Sequence, residues 1–308
     1  MPTGSRLRVS VSAVVMAMTM SIAVAATTAT VAATTTTATA VPAAAVTPSA
    51  PHTLYVSVAN RYLTMPHRIT AGQYFFQVRT SDPHSVVQMV RPPAGYTPRQ
   101  FLAAGTLWSS RYNSGADSRA AYTAFVKSVT FVGGASVARG GVGAFATGLG
   151  AGTYWLYEAT YEVPTHLARI VVLTVVGTPP AQTTVSPVGV VRFSAAGAVT
   201  LPANLPVAGW LKGIGGAPLN SLWTTKLAPG VTKADLDTPG VCDADIVNPT
   251  KDCYQPGGVR LGGHVSAGAS VFWYYRMPPG DYTAGSMGPS ALFDRPYLFG
   301  SYTRFTVS

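Results

Sequence analysis

The sequence predicts an all-β protein made of two similar β-sandwiches in tandem, and three observations carry that prediction. One order of short motifs occurs twice along the chain. Only 10% of the residues are charged, while Gly, Pro, Thr and Val abound, a balance that favours strands joined by tight turns over helices. Apolar and polar residues also alternate over short runs bounded by turn residues, which is the period of a strand.

The repetition is specific in its order. Residues 65–97 line up with residues 201–232 when small gaps are allowed: Pro66 falls on Pro202, Ala71-Gly72 on Ala208-Gly209, Pro83 on Pro218, and Gly95-Tyr96-Thr97 on Gly230-Val231-Thr232. Residues 134–154 match 262–282 without a gap, so that Gly134 meets Gly262, Gly140 meets Gly268, and Gly152-Thr153-Tyr154 meets Gly280-Asp281-Tyr282. Two β-rich copies in tandem account for that pattern.

The elements follow in order. Arg6 and Arg8 precede an apolar run from Val9 to Ala25 that ends in Ala23-Val24-Ala25, so residues 1–25 are expected to be a cleaved secretory signal peptide, too short for a stable span. Residues 26–50 are nearly all Ala, Thr, Val and Pro, with too few large apolar groups to offset the entropy of ordering them; they are expected to form a disordered leader. In the first copy, strands are expected at Thr53–Val58, Gly72–Val78 and Ser85–Val90. Thr97-Pro98 reads as a helix N-cap opening a short helix through Leu102. A covering helix is expected over Asp117 to Val129, where Ala121, Ala124, Phe125 and Val129 recur at helical spacing. Ile170–Val176 closes the copy, giving a domain over residues 51–178. Residues 179–187, with Pro179, Pro180 and Pro187, form a linker, and residues 188–308 repeat the order. There Thr232-Lys233-Ala234-Asp235 approaches a capping box, and Ser301–Val307 is the final strand.

Charge and cysteine narrow the function. The net charge is +10, or +8 once Arg6 and Arg8 leave with the signal. Residues 51–178 carry ten Lys or Arg against four acids, and residues 185–308 carry nine against seven. A positive first copy either keeps a charge-poor surface soluble, the simpler reading, or suits acidic envelope polymers through long-range attraction. No basic run is interleaved with stacking aromatics, so nucleic acid is not expected as a partner. The two cysteines, Cys242 and Cys253, lie close together among turn residues of a chain expected to be secreted, and are expected to pair as a disulfide.

Several catalytic chemistries have no motif here. The chain lacks a G-x-S-x-G elbow, an H-E-x-x-H helix and a phosphate-loop lysine. The carboxylate pairs Asp235/Asp237, Asp243/Asp245 and Glu158/Glu162 show no sign of sharing a cleft with divergent pKa values, so none is expected to act in acid–base catalysis. The densest aromatic run is Phe272-Trp273-Tyr274-Tyr275, whose alternate members face opposite sides of a strand. Either Trp273 and Tyr275 or Phe272 and Tyr274 face outward, unless the sister copy covers both faces; Trp273 and Tyr275 are the expected outward pair, available to stack on a sugar ring or a partner protein.

The order "AG-x-Y-x-F-x-V", a turn with "PH-x-V-x-x-M", "GYT" with a short helix, then "Gly-Thr-Tyr-x-Leu-Tyr", a loop, a histidine and a final strand resembles the cupredoxin-like family. The resemblance covers most of residues 51–178 and, more faintly, 185–308. It implies two Greek-key sandwiches. Blue-copper members bind copper through two histidines, a cysteine and usually a methionine. Carried onto this chain, the histidines fall on His84 and His166, the cysteine near Glu158 and the methionine near Ile170, so the thiolate and thioether are missing. The second copy has Leu219-Asn220 in place of His84 and no second histidine.

The expectation is therefore a secreted, non-catalytic binding or structural module of the cell envelope or extracellular space, without cofactor and without a stable membrane span after signal cleavage. Its partner would be an acidic envelope polymer, a glycan or a protein. The alternative is a copper- or zinc-binding protein using His84, His166 and Glu158, a set of imidazoles and carboxylate that suits either metal.

Overall fold

The computed structural model describes residues 52–114, 119–159, 166–179, 185–195, 198–216, 220–238, 241–242, 251–255, 259–260, 262–286 and 302–308. The expected signal peptide and leader lie outside them. The first copy contributes strands β1 (His52–Ala59), β2 (Tyr62–Thr64), β3 (Arg68–Thr70), β4 (Gly72–Thr80), β5 (His84–Arg91), β6 (Thr130–Ala138), β7 (Gly143–Leu149), β8 (Gly152–Glu158) and β9 (Ile170–Val176), with helices α1 (Pro98–Asn113) and α2 (Arg119–Lys127). The second contributes β10 (Gly189–Phe193), β11 (Val199–Thr200), β12 (Asn204–Leu205), β13 (Ala208–Ile214), β14 (Leu222–Lys226), α3 (Lys233–Asp237), β15 (Val259–Arg260), β16 (Ser270–Arg276), β17 (Gly280–Ser286) and β18 (Thr303–Val307).

One eight-stranded sheet, ordered β11-β10-β13-β16-β7-β4-β1-β2, runs through both copies. Two five-stranded sheets, β3-β9-β8-β5-β6 and β12-β18-β17-β14-β15, complete the two sandwiches. Each copy mixes parallel and antiparallel neighbours in the same places: β1 is parallel to β4 as β10 is to β13, and β3 is parallel to β9 as β12 is to β18. The inward positions of β1, Leu54, Val56 and Val58, are buried while Thr53, Tyr55 and Ser57 are exposed, the alternation that a half-covered strand requires. The main core gathers inward residues from all three sheets, among them Phe76 stacked on Phe145 at 4.5 Å between centroids. Each such side chain contributes about 1.5–3 kcal/mol by leaving water.

The repeat is conformational as well as sequential. Paired glycines share backbone angles: Gly95 and Gly230 both have φ 77°, Gly140 and Gly268 have 76° and 74°, and Gly152 and Gly280 have 145° and 144°. Positive φ is a conformation that glycine alone enters cheaply, so these matches reflect the same turn built twice. The ungapped alignment also lays β8 on β17 residue for residue.

The copies meet through equivalent strands. β7 and β16 pair antiparallel, Ala146 with Phe272, Phe145 with Trp273 and Ala144 with Tyr274. In the repeat alignment Phe145 and Trp273 are the same position, so an approximate twofold axis passes through that pair, as in an isologous dimer. Close by, the backbones of Gly134 and Gly263 touch: Gly263 N donates to Gly134 O at 3.0 Å, and His264 N donates to the fully buried Gln88 Oε1 at 2.8 Å. Val265 bridges Val132 of the first copy and Asn220 of the second.

Helices differ between copies. α1 runs to Asn113, well past the expected Leu102, because Phe101 and Trp108 sit on one face and both bury against the β5 and β8 sheet with Phe125 of α2. Thr97 and Gln100 form its capping box, the hydroxyl receiving Gln100 N and the amide oxygen receiving Thr97 N at 2.8 Å. In the second copy the same cap, Thr232 with Asp235, opens the five-residue α3. Beside it the Cys242–Cys253 disulfide closes a small cluster with Leu227, Val231 and Leu236.

Candidate functional site

The residues expected to hold a metal are placed as follows. His84 begins β5, is exposed, and lies 2.8 Å from Ser136 Oγ of β6 through Nε2. His166 precedes the 3₁₀ turn Leu167–Arg169; it too is exposed, and its carbonyl accepts from Arg169 N. Glu158 ends β8 only 4% exposed, its carboxylate receiving Val86 N at 3.4 Å from the adjacent β5. Ile170, at the position of the family's methionine, is buried under the helices. Among the described residues no three His, Cys, Asp or Glu side chains gather as a metal-ligand group. The donor set does not fit a blue-copper centre, because both cysteines of the chain are spent in the disulfide and no thiolate remains. A cleft of about 460 Å³ beside Arg91, Tyr96 and Trp155 has neither carboxylate nor imidazole in its lining.

The aromatic run of β16 corrects one expectation. Trp273 is fully buried and Tyr275 is 2% exposed, so neither presents a surface; the outward pair is Phe272 and Tyr274. The cause lies on other segments. A Cβ on Gly213 would come within 2.2 Å of the Trp273 ring, and one on Gly262 within 2.1 Å of its Nε1, so two glycines leave a slot that only the indole side of the strand fills. Tyr275 donates its hydroxyl to Pro206 O at 2.9 Å, and burial pushes its phenol up to about 12.

Turning β16 this way builds a different surface. On the outer face of the eight-stranded sheet, the pairings align Tyr55, Gln77, Ala144, Tyr274 and Trp210 in one row across five strands. The next row holds Thr53, Phe75, Ala146, Phe272 and Lys212, continuing to Val190 of β10. Only two alanines separate the aromatic groups of the two copies. Across them Phe75 and Trp210 stack at 5.2 Å between centroids, and Tyr274 meets Trp210 edge-on at 5.5 Å. Tyr55 is 62% exposed and Tyr274 39%, while Phe75, Trp210 and Phe272 are half-buried.

The charges of this sheet have one sign. Its eight strands contain Arg79, Lys212, Arg192 and Arg276 and no carboxylate, and the alternation puts all four on the outer face. Lys212 Nζ lies 5.7 Å from the centre of the Phe272 ring, a cation–π contact. None of the four enters an ion pair with another described residue; the pairs among those are Lys233–Asp237, Lys251–Asp235 and Arg304–Asp281. Phe75 and Trp210 had no signal in the sequence, since each is the sole aromatic on the outer side of its strand and only the shared sheet brings them together.

Among the described residues no helix is long and apolar enough to cross a membrane. No protein-family model matches the chain, and no curated protein does. Solved structures are similar to it. Auracyanin B matches 41% of this chain and 93% of its own at 20% identity and a TM-score of 0.24. Reduced auracyanin from Roseiflexus castenholzii matches 42% and 100% at 15% identity and 0.25. The multicopper oxidase mgLAC spans both copies, matching 84% of this chain and 86% of its own at 9% identity and 0.23. At TM-scores this low the likenesses carry no weight of their own, and the fold rests on the strand pairing. With β1 parallel to β4, β3 parallel to β9, and the same arrangement in the second copy, the fold of this chain is cupredoxin-like.

Proposed function

We propose that this chain is a secreted, non-catalytic binding module that engages a partner in the cell envelope or extracellular space through the outer face of its eight-stranded sheet. One observation carries the reading: Phe75 and Trp210, from different copies, stack across the seam and extend through Tyr274 into a single aromatic surface. Aromatic side chains ordered by mutual packing give contact area at little entropic cost. The copper or zinc alternative has weaker support, because Glu158 is buried against the backbone of β5 while His84 and His166 stand exposed on separate segments.

Cosedimentation with isolated envelope fragments of the producing organism tests the reading. The wild-type chain is expected in the pellet, and Trp210→Ala and Tyr274→Ala variants of unchanged melting temperature in the supernatant. Equal pelleting of all three would move recognition off this face.

A further inference from the structure

Resting on that reading, we infer that the outer face takes an acidic polysaccharide, a chain of sugar rings carrying carboxylates or sulfates. The shape of the face points to a polymer. From β1 to β10 it crosses six strands, about 24 Å at the usual interstrand spacing of ~4.8 Å, an extent that suits an elongated ligand. A small ligand would leave most of it empty.

The chemistry narrows the polymer. Sugar rings present C–H faces that pack on electron-rich aromatic rings, and Phe75, Trp210 and Tyr274 supply such rings at the centre. Acidic substituents need cations, which flank the aromatics on both sides. Lys212 and Arg192 lie on adjacent strands, Lys212 paired with Val190 and Arg192 with Ile214 two positions on. Arg79 and Arg276 lie beyond Gln77 and Tyr274 on β4 and β16. Gln77 and Thr53, neutral and hydrogen-bonding, stand between them for hydroxyl groups. These eight strands themselves carry no carboxylate to repel an anionic chain.

Calorimetric titration of the full mature chain with oligogalacturonate tests this, set beside the same oligomer with its carboxyls reduced, poly-glutamate, and phosphatidylglycerol vesicles. The expected result is binding to oligogalacturonate alone, weakened at least tenfold between about 0.05 and 0.3 M salt. Trp210→Ala and Tyr274→Ala should each cost roughly tenfold, and Lys212→Ala/Arg192→Ala should flatten the salt dependence. Equal affinity for the carboxyl-reduced oligomer overturns the acidic part. Equal affinity for poly-glutamate or vesicles, unaffected by Trp210→Ala, overturns the sugar. If no saccharide binds while Trp210→Ala still abolishes envelope cosedimentation, the polysaccharide inference fails and the binding face stands. If Trp210→Ala leaves cosedimentation intact, both fail.

Discussion

The close approach of Gly134 and Gly263 can be tested by adding one methyl group. In Gly263→Ala the new Cβ would sit 2.4 Å from Gly134 Cα, 2.8 Å from Gly134 N and 2.7 Å from Gln88 Oε1. Two of those atoms are backbone of the opposite copy and cannot swing aside, so the seam must open. Overpacking of this kind costs about 1–3 kcal/mol. Opening also stretches the Gly263–Gly134 and His264–Gln88 hydrogen bonds, each worth about 0.5–1.5 kcal/mol, and leaves Gln88 less well satisfied in a dry interior. The total is about 2–4 kcal/mol, or roughly 5–15 °C in melting temperature for a chain of this size. Gly285→Ala is the control, since nothing lies within 4 Å of its would-be Cβ and it should change the melting temperature little. Differential scanning calorimetry of both variants decides the matter. A Gly263→Ala melting temperature within about 2 °C of wild type would refute the backbone contact and with it the tightness of the seam.

Three further predictions concern the core, the acid side and the disulfide. Trp273→Ala should cost about 3–5 kcal/mol in urea denaturation, because Gly213 and Gly262 wall the slot with backbone and have no side chains to fill the space left; a cost under 1 kcal/mol would contradict the buried placement. Lys251 first, with Thr232 backbone and hydroxyl behind it, lowers Asp235 from 3.8 to about 2, and Thr306 and Arg304 lower Asp281. Depressed folded pKa values mean stability that is complete above pH ~4 and lost as pH falls towards 2, and Asp235→Asn should remove part of that dependence in a pH series of melts; an unchanged slope would contradict it. Opening the Cys242–Cys253 link by a double serine substitution should lower stability by about 3 kcal/mol in the chain-entropy model, with hydrogen exchange speeding first around Leu236; uniform exchange across the chain would show that this cluster is not a local unit.

The architecture was legible in the sequence where backbone geometry restricts residue choice. Gly95, Gly140 and Gly152 and their partners repeat because their turns need positive φ, and that kept the two copies in register over β7–β8 and β16–β17. The outward face of β16 was not legible. All four residues from Phe272 to Tyr275 are aromatic, so hydrophobic alternation is silent, and the choice was made by Gly213 and Gly262, which lie outside the strand. The full length of α1 escaped because its cap is local, whereas its second half is held by Trp108 against α2. At the candidate site, Phe75 and Trp210 are 135 residues apart in the chain and meet only because β7 and β16 pair. The metal reading of His84, His166 and Glu158 came from resemblance alone, and the turning of the Glu158 carboxylate onto Val86 depends on the neighbouring strand.

The pairing of β7 with β16 has a consequence for how the chain can be divided. Separating the halves at the connection near residues 179–187 would leave β7 and β16, seven residues each, as edge strands, with the three residues that now pair across the seam unmatched and aromatic side chains beside them. Such an edge is a template for strand addition. Because the two edges are equivalent positions of one repeat, each half would find its best available partner in another copy of itself. Isolated halves should therefore form dimers through this strand, or fibres where the register slips. In the intact protein the tandem arrangement acts as a built-in guard: each half occupies the other's edge, and the two outermost strands of the sheet, β2 and β11, are left only three and two residues long.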